Sequence, residues 1–294
     1  MRTLTALVYI FAVWVPAAAV ADDNHGYIGD EIEHVPLFDA HMHYQKPAWS
    51  AYPPDAVLRL MDDSGVAMAL VSSTPDEGTI TLWKFAANRI VPELRPYHDG
   101  AGSSNWTRFP GMFEYLAGRL ATYPHEGIGE FHLHDVNPED EALLRKIVDV
   151  AIQKNLYLHV HSGRESVDYL FRLEPGLQII WAHAGMVESA LTVQSMMAKY
   201  ATLYADTSYR ESDILNADGT IDEDWRRVIE RFPDRFMVGS DTWVNSQWDD
   251  YQDLIAMNRK WLSRFSRSVA ERIAFKNAER LFGRNVGNHL LGKH

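Results

Sequence analysis

The 294-residue chain contains no cysteine, which excludes disulfides and a lipidated N-terminal cysteine and leaves a packed core as the source of stability. Basic residues are also scarce. Against 40 Asp and Glu stand 28 Lys and Arg, a net charge of −12, and no stretch gathers the basic residues into a stripe. Such a surface repels polyanions, which excludes nucleic acid as a partner. Low-complexity tracts and short internal repeats are missing as well. The one long apolar run lies at the start, where Arg2 precedes Leu4 to Trp14 and the small residues Ala17 to Ala21 follow. That layout is a secretory signal peptide, residues 1–21, cleaved before Asp22. Its apolar core is shorter than the ~20 residues that span a bilayer, so no membrane anchor is expected after cleavage. The mature chain, residues 22–294, loses one basic residue, carries a net charge of −13 and is expected in the periplasm or outside the cell.

What remains is ordinary for a globular protein, with 46% hydrophobic and 23% charged residues. Short apolar or β-branched runs alternate with longer segments of helical periodicity. Eight strand candidates follow: Leu37 to Met42, Val66 to Ser72, Arg89 to Leu94, Gly127 to Leu133, Leu156 to His161, Gln178 to Ala182, Thr202 to Asp206 and Arg235 to Ser240. Between them, Pro138 to Lys154 is the clearest helix. Asn137 is its expected cap, the acidic residues 139–141 suit its positive end, and Leu143, Leu144, Ile147, Val148 and Ile152 form its apolar stripe. A last helix, Ser268 to Phe282, is expected to end at Gly283. Two loops look like excursions over a site, Tyr44 to Pro54 and Tyr97 to Phe109. Eight strand-helix units predict one α/β domain, a (β/α)8 TIM barrel, with the site at the C-terminal ends of the strands.

Those ends carry the chemistry. Asp39-Ala-His41-Met-His43 closes the first strand, and period-2 alternation turns Asp39, His41 and His43 to one face. Two imidazoles held rigidly on one strand can chelate a metal ion. Further candidate ligands stop later apolar runs: Glu130, His161, His183 and Asp241. Histidines packed at random would have no reason to prefer strand ends.

With these motifs in place the chain resembles the amidohydrolase superfamily, in particular the branch of metal-dependent barrel hydrolases and decarboxylases opening with Asp-x-His-x-His. The resemblance extends to Asn277-Ala-Glu-Arg-Leu-Phe-Gly283, similar to the closing motif of that branch. It implies His41, His43, His161, His183 and Asp241 as metal ligands, with Asp241 also the general base. Strand four is where the superfamily varies. It offers Glu130 here, and no lysine for carboxylation, so Glu130 either bridges two metals or serves as a general acid, as a partner to a ligand, or as a barrel-interior carboxylate. The cofactor implied is a divalent cation, zinc first and manganese as another choice, as one ion or two.

Such a cation acidifies its water to a pKa of about 7 and polarises a carbonyl oxygen. The implied activity is hydrolysis of an amide, lactone or ester bond in a small organic molecule. A nonoxidative decarboxylase of a small carboxylic acid uses the same site, and a barrel that binds without turnover is a third reading, disfavoured by the complete ligand set. Arg164 and Arg210 are candidates to grip a substrate carboxylate, or else surface ion pairs. Tyr44, Trp49, Trp106 and Trp243 are candidates to wall the pocket, Trp243 best placed by its two-residue distance from Asp241. His159 is expected to pack one layer below His161, and His132 and His134 to be hydrogen-bonded loop residues, or one of them the strand-four ligand in place of Glu130. His34, His98 and His125 have no evident partner. A homo-oligomer is left open.

Overall fold

In the computed structural model, which describes residues 26–288, eight parallel strands pair in sequence order. They are β1 (Leu37–His43), β2 (Val66–Ser72), β3 (Ile90–Leu94), β4 (Gly127–His132), β5 (Tyr157–His161), β6 (Gln178–Trp181), β7 (Leu203–Asp206) and β8 (Phe236–Met237). The first and last strands meet where Ala40 N–H donates to the Val238 carbonyl at 2.8 Å, so the sheet curls into a (β/α)8 barrel. The expected signal peptide and the tail histidines His289 and His294 lie outside the described residues. Among those described, no helix is long and apolar enough to cross a membrane.

All eight expected strands form, and the last is the one that changes most, contracting from six residues to two. Gly239 explains the contraction. A Cβ there would stand 2.7 Å from the His41 Cβ, so the chain after β8 presses directly onto β1. Ser240 then bonds to a side chain in place of the ladder, its N–H and hydroxyl reaching the Asp39 carboxylate at 2.9 and 2.6 Å. Asp39 also accepts from the Tyr251 hydroxyl at 3.0 Å. It thus ties β1 to the seam of the barrel and does not face the cavity described below.

The helix expected from Pro138 starts at Glu141 and runs to Lys154. Asn137 does not cap it, because its amide groups donate to the Asp140 carboxylate and fold residues 138–140 into a turn. Leu144, Ile147, Val148 and Ala151 form the buried stripe, while Ile152 is left exposed at the edge. The closing helix spans residues 267–282 with a π turn in its middle, and Gly283 ends it at φ +61°, where a side chain is disfavoured.

Candidate metal centre

Strand alternation turns His41 and His43 toward the barrel axis, and β4, β5 and the segments after β6 and β8 bring Glu130, His161, His183 and Asp241 to the same point. His41 Nε2 and His43 Nε2 lie 3.2 Å apart. Asp241 Oδ1 stands 3.5 and 3.2 Å from these two nitrogens, and Glu130 Oε2 stands 3.8 and 3.3 Å from them. The other Glu130 oxygen, Oε1, is 2.7 Å from His161 Nδ1 and 3.6 Å from His183 Nε2. Asp241 Oδ2 reaches within 3.8 Å of His183 Nε2. All six expected ligands therefore converge, and Glu130 presents one oxygen to each half of the cluster.

The outer ring nitrogens decide what the inner ones offer. His41 Nδ1 sits 3.2 Å from the Asp206 carboxylate, His43 Nδ1 3.2 Å from the Ser72 carbonyl, and His183 Nδ1 3.1 Å from the Ser208 carbonyl. Such acceptors cannot donate, so in the neutral ring each Nδ1 carries the proton and each Nε2 offers its lone pair to a cation. The Ser72 hydroxyl also lies 3.0 Å from His43 Nδ1 and the Ser208 hydroxyl 2.9 Å from His183 Nδ1, and each can accept the same proton, while Arg95 Nη1, at 3.4 Å from His43 Nδ1, makes the longest of these contacts. Several lone pairs and two carboxylates thus face one another, a donor set that fits divalent cations.

Charge follows the same pattern. Burial opposes the charge on His41, but the Asp206 and Asp241 carboxylates outweigh it and hold the imidazole well above its ordinary range. Burial likewise pushes Glu130 upward, yet hydrogen bonds from His161, His183, His41 and His43 hold it well below the usual carboxylate range. Asp241 is lowered against its burial by the His41 charge and the His43 hydrogen bond.

Backbone strain concentrates at the same place. Of seven non-glycine residues with positive φ among those described, six lie in the loops at this end of the barrel: Asp99, His183, Ala184, Met186, Tyr209 and Asp241. Each costs roughly 1 kcal/mol, which the surrounding contacts offset. Gly129 serves the same end beneath Glu130. A Cβ at that position would meet the His159 carbonyl at 2.4 Å, so only glycine lets β4 press against β5 there.

All of the cluster but the buried His41 lines a cavity of about 660 Å³, reached also by Gln45, Thr74, Arg95, Tyr97, Ser103, His132, Met186, Tyr209 and Trp243. Of the six residues expected to grip substrate or wall the pocket, Trp243 alone lines it. Tyr44 follows His43 by one residue, so alternation turns it outward, where its hydroxyl donates to the Tyr52 carbonyl at 2.7 Å. Arg164 opens a helix and swings outward to pair with Glu165 at 2.9 Å. Arg210 is buried behind the site, where it pairs with Asp213 at 2.7 Å and holds the loop after β6 through the Glu188 carbonyl at 2.7 Å. Trp49 and Trp106 also turn inward to the core. The indole N–H of Trp49 donates to the Tyr44 carbonyl, and that of Trp106 to the His132 carbonyl.

Two residues of this centre escape the sequence reading. Arg95, just past β3, donates to Glu130 Oε2 at 2.8 Å and to the Glu130 carbonyl at 3.0 Å. Asp206, the last residue of β7, accepts from the His183 N–H and the Ser208 N–H at 3.2 and 3.1 Å, besides facing His41. Both occupy strand ends, the signal that marked the ligands. His159 packs below His161 as expected, between Glu93 and Asp206 at 3.2 and 3.1 Å. Burial works against its charge, but those carboxylates push it up to about 9. His125 gains a partner in Asp76 at 3.0 Å, and His98 stacks on Tyr115.

The profile of the amidohydrolase family matches residues 38–284, which include every member of the cluster. The chain belongs to the amidohydrolase family. It is an enzyme of the amidohydrolase type. Among solved structures, a lactonase from Listeria monocytogenes aligns with a TM-score of 0.62 at 14% identity, over 85% of this chain and 95% of that one. A TatD homologue from Escherichia coli gives 0.59 at 14% identity, over 85% and 98%. A probable 2-pyrone-4,6-dicarboxylic acid hydrolase from Acinetobacter baumannii gives 0.56 at 14% identity, over 84% and 99%. At such identities these likenesses speak for the fold alone. No curated protein sequence matches the chain significantly.

Proposed function

We propose that this amidohydrolase is a zinc-dependent hydrolase cleaving an amide, lactone or ester bond of a small organic substrate. The observation carrying the reading is the convergence of six candidate ligand side chains, five of them on the wall of one cavity of about 660 Å³ and His41 buried against them. In it, His41, His43 and Asp241 would hold one cation and His161 and His183 a second, with Glu130 placed between them to serve both. Neutral imidazoles favour zinc, with manganese as the other choice. Bound there, the metal supplies Lewis acidity for the scissile carbonyl and acidifies water.

The remaining work falls to the protein. Asp241, held ionised beside His43, accepts the proton of the attacking water and returns it to the departing alcohol or amine. Trp243, with Tyr209 3.2 Å from its indole N–H, forms an aromatic shelf at the cavity mouth for the apolar part of the substrate. The decarboxylase reading relied on Arg164 or Arg210 gripping an acidic substrate, and neither side chain lines the cavity. The reading also includes export: residues 1–21 act as a cleaved signal peptide, and N-terminal sequencing of the exported chain is expected to begin at Asp22.

The deciding experiment is metal content per chain, measured without chelators on wild type and Glu130→Gln, with turnover of a panel of esters, lactones and amides. Two equivalents falling to one, with cleavage of a panel member, supports a binuclear hydrolase bridged by Glu130. One equivalent in both removes the bridge. No metal in either, with no turnover, overturns the reading in favour of a barrel that only binds.

A further inference from the structure

His132 projects from the end of β4 onto the cavity wall, two residues beyond Glu130, and its ring lies flat on His161 with centroids 4.2 Å apart and planes within 17°. A ring nitrogen of His132 falls within 4.8 Å of ligand atoms of both Glu130 and His161. Position alone would make it one more candidate ligand, but its hydrogen bonds point elsewhere.

The Tyr97 hydroxyl contacts His132 twice. Its oxygen accepts the His132 backbone N–H at 2.8 Å, and it lies 2.9 Å from His132 Nδ1. No other acceptor within the described residues is in hydrogen-bond reach of that hydroxyl. Nδ1 is the one acceptor those residues offer its single proton, which assigns Nδ1 as the unprotonated nitrogen of the ring. A neutral imidazole with Nδ1 accepting carries its proton on Nε2. Three further contacts fix the pair: the Arg95 guanidinium over the Tyr97 ring at 4.7 Å, the Trp106 indole N–H on the His132 carbonyl at 2.8 Å, and the stack on His161. In their neutral forms His41, His43 and His183 carry the proton on Nδ1 and offer Nε2, so His132 is wired in the opposite sense.

We propose that His132, locked by Tyr97 in the Nε2–H form, is the hydrogen-bond donor that holds the substrate carbonyl oxygen and the negative charge developing on it. The proposal rests on the hydrolase reading above and adds to it the group that grips the oxyanion. The proton stays on Nε2 throughout, so the role is electrostatic and requires no proton transfer through this ring. His132 is then a catalytic residue, and Tyr97 a positioning residue acting through it.

The test has a spectroscopic and a kinetic arm. Long-range proton-nitrogen NMR on protein labelled in its histidine rings, with the His132 signals assigned by their loss in His132→Gln, reads the tautomer in chelator-treated and zinc-loaded chains. The expected result is an Nε2–H tautomer in both, giving way to mixed tautomers in Tyr97→Phe with zinc content unchanged. An Nδ1–H ring, or loss of the Nε2 proton on zinc loading, makes His132 a ligand and overturns the proposal. On whichever ester, lactone or amide the wild type cleaves, His132→Ala is expected to lower kcat ~100-fold, the scale of losing one oxyanion donor, with KM little changed. The amide N–H of His132→Gln should restore part of the loss. A His132→Ala chain as fast as wild type overturns the donor role alone. A wild type that cleaves none of them overturns the hydrolase reading and the donor role together, while the NMR result still decides the Tyr97 lock.

Discussion

His41 and His43 hold their Nε2 atoms 3.2 Å apart, each within 3.5 Å of the Asp241 carboxylate. The His41 charge offsets the Glu130 and Asp241 carboxylates that face it, and a divalent cation bound there would take the place of that proton. Metal and fold are therefore linked, since a ligand that binds only the folded state stabilises it by mass action. Dialysis against a strong chelator should lower Tm by several degrees, and adding back zinc should restore it. A Tm indifferent to both, in differential scanning calorimetry, would show that the cluster holds no metal.

Asp206 should matter to the metal without touching it. Its buried carboxylate is held well below the usual range, because the His41 charge and hydrogen bonds from His159 and His41 outweigh the burial that would raise it. Asp206→Asn keeps the shape but loses the charge that orients His41 and supports its basicity. Zinc affinity, from competition with a chelating dye, should fall roughly 10- to 100-fold while circular dichroism stays unchanged. Unaltered affinity would mean that the strand alone holds His41 in place.

The sequence announces the strands and ligands because both depend on short-range rules. Period 2 fixes which side of β1 carries His41 and His43, and an apolar run that stops marks the open end of the barrel. The same alternation sends Tyr44 outward, a consequence the aromatic character of its loop obscures. Arg164, Arg210, Trp49 and Trp106 depend instead on where each loop turns into a helix or folds back on the core, which periodicity does not encode. Arg95 and Asp206 sit at strand ends like the ligands, but an arginine or aspartate there reads equally well as a surface charge. Their roles emerge only when β4 brings Glu130 to the first and β1 brings His41 to the second.

Asp241→Asn separates folding from turnover. The substitution keeps an oxygen near His43 and the N–H that donates to the His41 carbonyl, so the barrel seam and much of the metal should remain. The amide cannot take up a proton from water, and kcat should fall ~100- to 10,000-fold. Circular dichroism and metal content near wild type, with turnover lost, is the expected outcome. Activity within a few-fold of wild type would move the general-base role to another group.

Glu211 gives the protein a pH dependence of its own. Burial behind β7, with the nearby Asp206 charge adding to it, raises this carboxyl from 4.5 to about 7 against the pull of local backbone amides and His183. Between those two values the folded chain keeps a proton there that the unfolded chain has released. Stability is therefore lost as pH rises from 4.5 to about 7, and above that the penalty is constant. At ~1.4 kcal/mol for each pH unit between the two values, reduced because the side chain is only partly buried, the penalty is on the order of 1 to 2 kcal/mol. Glu211→Gln removes the ionisation. Urea unfolding midpoints should match wild type at pH 4.5 and exceed it at pH 8. A variant no more stable than wild type at pH 8 would show that Glu211 ionises at no cost to the fold.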